Sequence, residues 1–394
     1  MKICRLISGF PSAEKIAGKG SDSSTYLGPN VYSLSIEQVK LGCEVHLVCK
    51  GRGTYEVIDG IQVHRVKAPF NLKAFLEMSK INRTGGSNIL HVHAASGYIA
   101  VSARHFTDAV PLVAHVHGTT AGSASVLGES SDFREIWNNS IALTRERLVW
   151  KAANRVIAVS DNVAKELVML YGIPKDRVRV VYNGVDTNLF KPSAHRDEIR
   201  EKFGWSGRKV VLYVGQISPR KGLTYLVEAA AQVCAKNKNA IFALAGGVPS
   251  YQERSTQDYL DALKSLASKL GLSNAVVFLG PIPNSRLPDY YAAADLFVFP
   301  SLYEGLPKAM LEAMSCGKSC VGTAVGGIPV LVGPNEGIIV PPADSSKLAI
   351  AIDALLMDDE GRRKMGESAA AKIRRQFTWK TAAIQLRDIY SEIL

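Results

Sequence analysis

The chain has 394 residues, of which 47% are hydrophobic and 21% charged, with a mean hydropathy of +0.05. Such a composition excludes a disordered or low-complexity chain, and the length exceeds what one ordinary core fills, so two domains are expected. The formal charge of +11 is shared, with 22 basic against 16 acidic residues over 1–190 and 25 against 20 beyond, which argues against the concentrated basic patch of a nucleic-acid binder.

The opening MKICRLISGF reads as a first strand. Its apolar stretch is too short for a secretory signal and no small-residue cleavage site follows. Further along, EVHLVCK, IQVHRVK, NILHVHA, PLVAHVH, RVIAVS and VRVVYNG continue as short strands rich in Val and Ile. Helical stretches such as VYSLSIEQVKLG and NVAKELVMLYG lie between several of them. Then comes NGVDTNLFKPSAHRDEIREKFGW, which has no strand character, and the domain junction is expected there, dividing 1–190 from 191–375. The second half repeats the grammar with KVVLYVG, AIFALAG, AVVFLG, LFVFP, SCVGTAV and GIIVPP. Strands spaced by helices imply parallel sheets covered on both faces. The expected fold is α/β, with two Rossmann-like doubly wound parallel sheets facing across a cleft and ligands at the strand-end loops.

No apolar stretch approaches the ~18 to 20 residues of a membrane span. Six cysteines (Cys4, Cys43, Cys49, Cys234, Cys316, Cys320) include no Cys-x-x-Cys pair. They read as reduced packing residues of a cytoplasmic protein. Two short basic clusters, RVKAPFNLK (65–73) and RERLVWKAANR (145–155), suit a solvated helix face, or an anionic membrane surface or acidic substrate.

Three groups of residues could carry chemistry. In VLYVGQISPRKGLTYLVEAA (211–230) a strand ends at Gly215 and a helix starts near Gly222. Arg220 and Lys221 then sit where the helix macrodipole is already positive, which is unfavourable without an anion and makes a phosphate site with one. There is no GxxxxGK[ST], and no GxGxxG after the first strand of either half, which argues against a P-loop kinase or a dinucleotide dehydrogenase. In PSLYEGLPKAMLEAMSCGK (300–318) Glu304 lies in a loop and Glu312 in a helix beginning at Pro307, apolar nearly all round. Such a helix is buried, and a buried carboxylate needs a partner. A carboxylate can accept from both hydroxyls of a vicinal diol, so Glu312 could hold a ribose and Glu304 a sugar; the alternative for Glu312 is an i,i+4 pair with Lys308. Finally, His91 and His93, and His115 and His117, each share one face of a strand. No carboxylate or cysteine nearby completes a metal site, so packing is the reading for three of them. His117, before Gly118 at a strand exit, is the candidate for ligand contact.

With these motifs in order, the chain resembles the family 4 retaining glycosyltransferases of GT-B fold. The E-x7-E signature is EGLPKAMLE (304–312), followed by VGGIP (325–329) and preceded by YGIPKDRVRVVYNGVD, VGQISPRKG and ADLFVFPS. FTWKTAAIQL (377–386) resembles the segment that crosses back to the first domain, here 376–394. The resemblance implies a nucleotide-sugar donor held by the second domain and a hydroxylated acceptor (sugar, glycan or lipid-linked) held by the first. It implies no metal and no cofactor, since the nucleotide sugar is a substrate. Lys221 would stabilise the leaving diphosphate, Glu304 with the backbone of Gly305 and Leu306 would contact donor sugar and phosphate, and Glu312 would bind the ribose. His117 would touch the donor sugar and Ile282, in GPIP (280–283), the base; Gly215 and Gln216 begin the donor loop. Three positions depart from the family pattern. Gln216 stands where arginine is usual, with Arg220 as a replacement in the adjoining turn. Gly28–Pro29 stands for the usual glycine pair of the phosphate loop, and Val330 follows GGIP. The loop FPSAEKIAGKGSDSSTYLGPN (10–30) is expected to shape the acceptor site. A nucleotide-sugar epimerase of the same shape is the alternative; a glycosidase or a non-catalytic binder explains less of the pattern.

Overall fold

Apolar runs bounded by glycine or polar residues become strands throughout. The computed structural model describes residues 1–7, 10, 28–83, 88–94, 110–127, 133–248 and 253–394. The chain divides into two compact units, Met1–Gly184 with Trp379–Leu394, and Val185–Thr378. The junctions therefore fall at 184/185 and 378/379, not at 190/191 and 375/376. The reason is local packing. Val185 N–H donates to the Phe377 carbonyl at 3.0 Å and Val185 bridges Thr378, while the Phe190 ring packs on Tyr291 and its carbonyl accepts from Ser315, both within the second unit.

The first unit holds β1 (Lys2–Leu6), β2 (Glu44–Lys50), β3 (Tyr55–Ile58), β4 (Ile61–Val66), β5 (Ile89–His93), β6 (Leu112–Val116), β7 (Arg155–Ala158) and β8 (Val178–Val180). Their order is β3-β4-β2-β1-β5-β6-β7-β8. All neighbours are parallel except β3 and β4, whose two-residue turn is Asp59–Gly60, both at positive φ, the signature of a tight hairpin. From β1 the chain builds outward one way, and from β5 the other. The switch point lies between β1 and β5, with Arg5 opposite His91 in register. The helix Trp379–Ser391 returns to this sheet, burying Trp379, Leu386, Ile389 and Tyr390 with Val31, Leu34, Val45 and Leu47. Of the loop expected to shape an acceptor site, residues 11–27 lie outside the described residues.

The second unit has a six-stranded, all-parallel sheet of order β11-β10-β9-β12-β13-β14. These are β9 (Lys209–Val214), β10 (Ala240–Ala245), β11 (Val276–Gly280), β12 (Leu296–Phe299), β13 (Cys320–Thr323) and β14 (Gly337–Val340). Every residue of β10 and β12 is buried, as expected for strands covered on both faces. Here the switch point lies between β9 and β12, so the loops leaving those two strands emerge side by side. All six cysteines are free and only Cys234 is not fully buried. Burial pushes the Cys4 and Cys316 thiols up to about 12. Among the described residues no helix is long and apolar enough to cross a membrane.

Candidate active site

The switch point of the second sheet carries a charged corner. After β9, Pro219–Lys221 forms a single 3-10 turn, and Gly222, at φ +66°, leads into the helix Leu223–Lys236. After β12, residues 300–306 form a loop pinned to that turn by Leu302 N–H donating to the Arg220 carbonyl at 2.8 Å. Gly222 is required here, because a Cβ would lie 2.0 Å from the Pro300 carbonyl oxygen. On the loop's other side a Cβ on Gly326, also at positive φ, would lie 1.9 Å from the Glu304 carbonyl oxygen. Gly327 N–H donates to the Gly305 carbonyl at 2.7 Å. The Glu304 loop is thus held between two backbones at closest approach.

Inside this clamp Lys221 and Glu304 are each 3% exposed and ion-paired. Arg220 Nη1 lies 3.3 Å from the same Glu304 oxygen and donates to the Tyr303 carbonyl at 2.9 Å. Ser301 Oγ donates to it as well, at 3.0 Å. The Lys221 ammonium also sits 4.9 Å from the centre of the Phe299 ring, a cation–π distance. Burial would push the Glu304 carboxyl up, but Lys221 first and Arg220 next outweigh it and hold it below the usual carboxylate range. Burial also draws the Lys221 ammonium down, opposed by Glu304. Two cations against one carboxylate leave the corner with one formal positive charge. The N–H groups of Gly305 and Leu306 donate to no acceptor among the described residues.

Glu312 lies in the helix Lys308–Ser315, is 3% exposed, and has partners of its own. Lys308 Nζ is 3.3 Å from one oxygen, and the Tyr291 hydroxyl donates to the other at 2.9 Å. The i,i+4 pair weighed against a ligand role is therefore made. Burial pushes this carboxyl above the usual range, against Lys308 and Tyr291. Gly215 donates to the Ala245 carbonyl at 2.9 Å, and Gln216 is half-buried with its carbonyl accepting from the Tyr213 hydroxyl at 2.7 Å. Ile282 is half-buried in the turn after β11.

Gly28 and His117 belong to the first unit. Gly28 is buried and opens the helix Gly28–Lys40, with Pro29 in the first turn, where a missing N–H is tolerated. His117 directly follows β6 and is half-buried. It ends a stack of four imidazoles, with centroids 4.6 Å apart for His91–His93 and for His115–His117. The nitrogens of His91, His93 and His115 lie within 4.8 Å of one another. Their ring planes are near-parallel, so lone pairs run side by side and do not converge on one point as tetrahedral metal coordination requires. A buried Arg5 guanidinium beside His93 is a further obstacle to a cation. The packing histidines are not all satisfied: among the described residues, His91 Nε2 and both nitrogens of His115 have no hydrogen-bond partner.

Comparison with known proteins brings the two halves together. A family model for Glycosyltransferase Family 4 matches residues 30–189, and one for glycosyl transferases group 1 matches residues 195–372. D-inositol 3-phosphate glycosyltransferase 2 of Catenulispora acidiphila is 31% identical over 395 residues, covering 92% of this chain and 90% of its own. The chain belongs to glycosyltransferase family 4. Sucrose-phosphate synthase from Thermosynechococcus elongatus superimposes on this glycosyltransferase with a TM-score of 0.82 at 24% identity, covering 100% of this chain and 98% of its own. HepE of Anabaena in complex with UDP-glucose does so with a TM-score of 0.75 at 23% identity, covering 100% of both chains. The glycosyltransferase thus has the GT-B fold, with two parallel-sheet α/β domains. Sequence reasoning missed Ser301 and Tyr291 beside the two glutamates of the second unit and Arg5 in the first unit. Arg5 left a signal, as the lone charge inside an otherwise apolar strand core; Ser301 left only its three-residue spacing from Glu304.

Proposed function

We propose that this glycosyltransferase moves a sugar from a nucleoside-diphosphate sugar to an acceptor hydroxyl with retention of anomeric configuration. The observation that carries the reading is the buried Lys221 ammonium at the switch point, beside Arg220 and the N–H groups of Gly305 and Leu306, which donate to no acceptor among the described residues. These groups suit a diphosphate and would supply the charge stabilisation that a metal ion supplies elsewhere. As the bond from the anomeric carbon to the phosphate oxygen breaks, its electron pair passes to the diphosphate, whose growing charge Lys221 and Arg220 offset. The acceptor oxygen attacks the anomeric carbon from the same face, and its proton passes to the departing phosphate oxygen. Glu304 then turns an oxygen to donor sugar hydroxyls, and Glu312, already positioned by Tyr291 and Lys308, takes the ribose diol. Gly215, Gln216 and Ile282 border the nucleotide, Gly28 the phosphate from the first unit, and His117 the sugar. The UDP-glucose held by HepE supports such a donor, and the acceptor in the name of the D-inositol 3-phosphate glycosyltransferase supports a hydroxylated acceptor.

The test is a thermal-shift panel of UDP-, GDP-, ADP- and dTDP-sugars, in which ligand at 100 times its dissociation constant adds ~2.7 kcal/mol to the folded state. The anomeric configuration of the product is then read by proton NMR. No shift with any nucleotide sugar would overturn the donor site, and an inverted product would overturn retention.

One observation favours a contact with anionic membranes. On the helix Phe70–Arg83, Leu72 and Leu76 are 53% and 57% exposed, one turn apart, with Lys73 and Lys80 exposed on the same helix. An apolar stripe beside lysines suits a charged lipid surface and a lipid-linked acceptor at the cytoplasmic leaflet. Co-sedimentation with phosphatidylserine vesicles, lost in Leu72→Ser/Leu76→Ser, is the expected result; equal sedimentation with neutral vesicles would sink it.

A further inference from the structure

The first unit contains a chain of hydrogen bonds whose direction is forced by one buried arginine. Arg5 is wholly buried in β1, at the switch point of its sheet. Its Nη1 lies 2.8 Å from His93 Nε2, and its Nη2 donates to Gln38 Oε1. Gln38 Nε2 in turn reaches the Tyr390 hydroxyl at 3.4 Å, and that hydroxyl is bonded to His91 Nδ1. The returning helix therefore anchors the arginine through Tyr390 and Gln38.

A guanidinium has five donors and no acceptor. His93 Nε2 must therefore accept, and a neutral His93 carries its proton on Nδ1. His93 is held neutral by burial first, and then by His91, His115 and Arg5. Its Nδ1 lies 3.2 Å from His117 Nε2. Nδ1–H donates, so His117 Nε2 accepts in turn. Burial pushes His117 down to about 4, so it too is neutral near pH 7, with its single proton on Nδ1. Among the described residues that nitrogen has no partner. A buried polar atom in this state calls for an explanation, and a ligand oxygen supplies one.

We infer that Arg5 and His93 are positioning residues that fix the tautomer of His117, so that its ring offers an Nδ1–H donor to an oxygen of the bound sugar. The inference rests on the reading of His117 as a sugar contact, and it deepens that reading. A sugar hydroxyl or ring oxygen is accepted as a partner there; a ligand group that can only donate is refused, because His117 Nε2 is already occupied by His93. The relay is set before any ligand arrives, which spares the site a proton rearrangement on binding.

Two measurements test it. In protein labelled with 15N-histidine, long-range proton–nitrogen correlation assigns each tautomer, with His117→Ala identifying the resonance. His93 and His117 are both expected as Nδ1–H at pH 7.5 without ligand, and Arg5→Met is expected to leave His93 and His117 as tautomer mixtures. His117 found as Nε2–H in the unaltered protein overturns the inference while sugar transfer stands. Conversely, a failure to bind any nucleotide sugar overturns the transfer reading and leaves the tautomer result intact. The second measurement is a double-mutant cycle. Arg5→Met is expected to lower kcat/KM for the donor about tenfold, and less than about twofold in a His117→Ala background, since coupled residues do not add. An equal loss in both backgrounds means that Arg5 only supports the fold, and the inference falls. Should Arg5→Met not fold, the tautomer assignment in the unaltered protein decides alone.

Discussion

Glu304 shares one carboxylate oxygen among Lys221, Arg220 and Ser301, so each partner's removal has a distinct expected signature. Lys221→Ala should cut turnover about 100-fold, the scale of losing one charge-stabilising group. Steady-state kinetics near wild type would refute the role. Glu304→Gln keeps the shape but leaves two cations without their counter-charge. Breaking a buried pair in this way costs roughly 3–5 kcal/mol, read as a lower urea midpoint for the second unit; an unchanged midpoint would show that the pair is solvated. Because the Glu304 carboxyl titrates below its ordinary range, its stabilising contribution is whole above ~pH 4.3 and is lost as pH falls through the lower folded value. At this scale the sequence revealed which residue types gather, since Glu304 and Glu312 stand out against apolar neighbours. It could not reveal that Lys221 pairs with Glu304, or Tyr291 with Glu312, because those contacts join residues 83 and 21 positions apart.

The strands and helices around the corner were read in the right order because parallel, doubly covered strands leave unbroken Val/Ile runs. The edge strand β3 escaped, being half-exposed with Tyr55 and Val57 outward, although the Asp59–Gly60 turn was there to be seen. The order of strands within each sheet, and hence the meeting of the β9 and β12 loops, depends on long-range pairing that no local pattern specifies. The glycine clamp makes that meeting testable. Gly326→Ala places a methyl 1.9 Å from the Glu304 carbonyl oxygen and forces a left-handed φ of 55° on alanine. Strain and displacement together should cost about 2 kcal/mol or more and lower turnover; full activity with an unshifted melting temperature would mean that the loop yields freely. In the first unit the imidazole stack gives a different signature. Burial keeps His91, His93 and His115 well below their ordinary value and His117 at about 4. Below about pH 6.5 the unfolded chain takes up protons that the folded rings refuse. Stability is therefore whole above pH 6.5 and falls as pH drops toward 4, by up to about 1.4 kcal/mol per pH unit for each ring. Equal urea midpoints for the first unit at pH 7.5 and 5.5 would sink this expectation.

The chain passes from the first unit to the second at Gly184/Val185 and returns at Thr378/Trp379, and Val185 and Phe377 are hydrogen-bonded where these passages meet. Composition and the terminal FTWKTAAIQL announced both the division and the return. The exact junctions depended on how Phe190 packs, which is a tertiary matter. Ending the chain at Thr378 would remove Trp379, Leu386, Ile389 and Tyr390 from the first core. At ~1.5–3 kcal/mol for each large side chain, the loss rivals the 5–15 kcal/mol that separates folded from unfolded domains. Limited proteolysis of that truncation should digest the first unit and spare the second; survival of both would show that the returning helix is dispensable.

The thiols have a practical corollary. Cys4, Cys43 and Cys49 lie in the first unit, and Cys234, Cys316 and Cys320 in the second, with only Cys234 incompletely covered. Timed alkylation followed by peptide mass mapping would read out, without any engineered label, which half of the molecule opens first under stress.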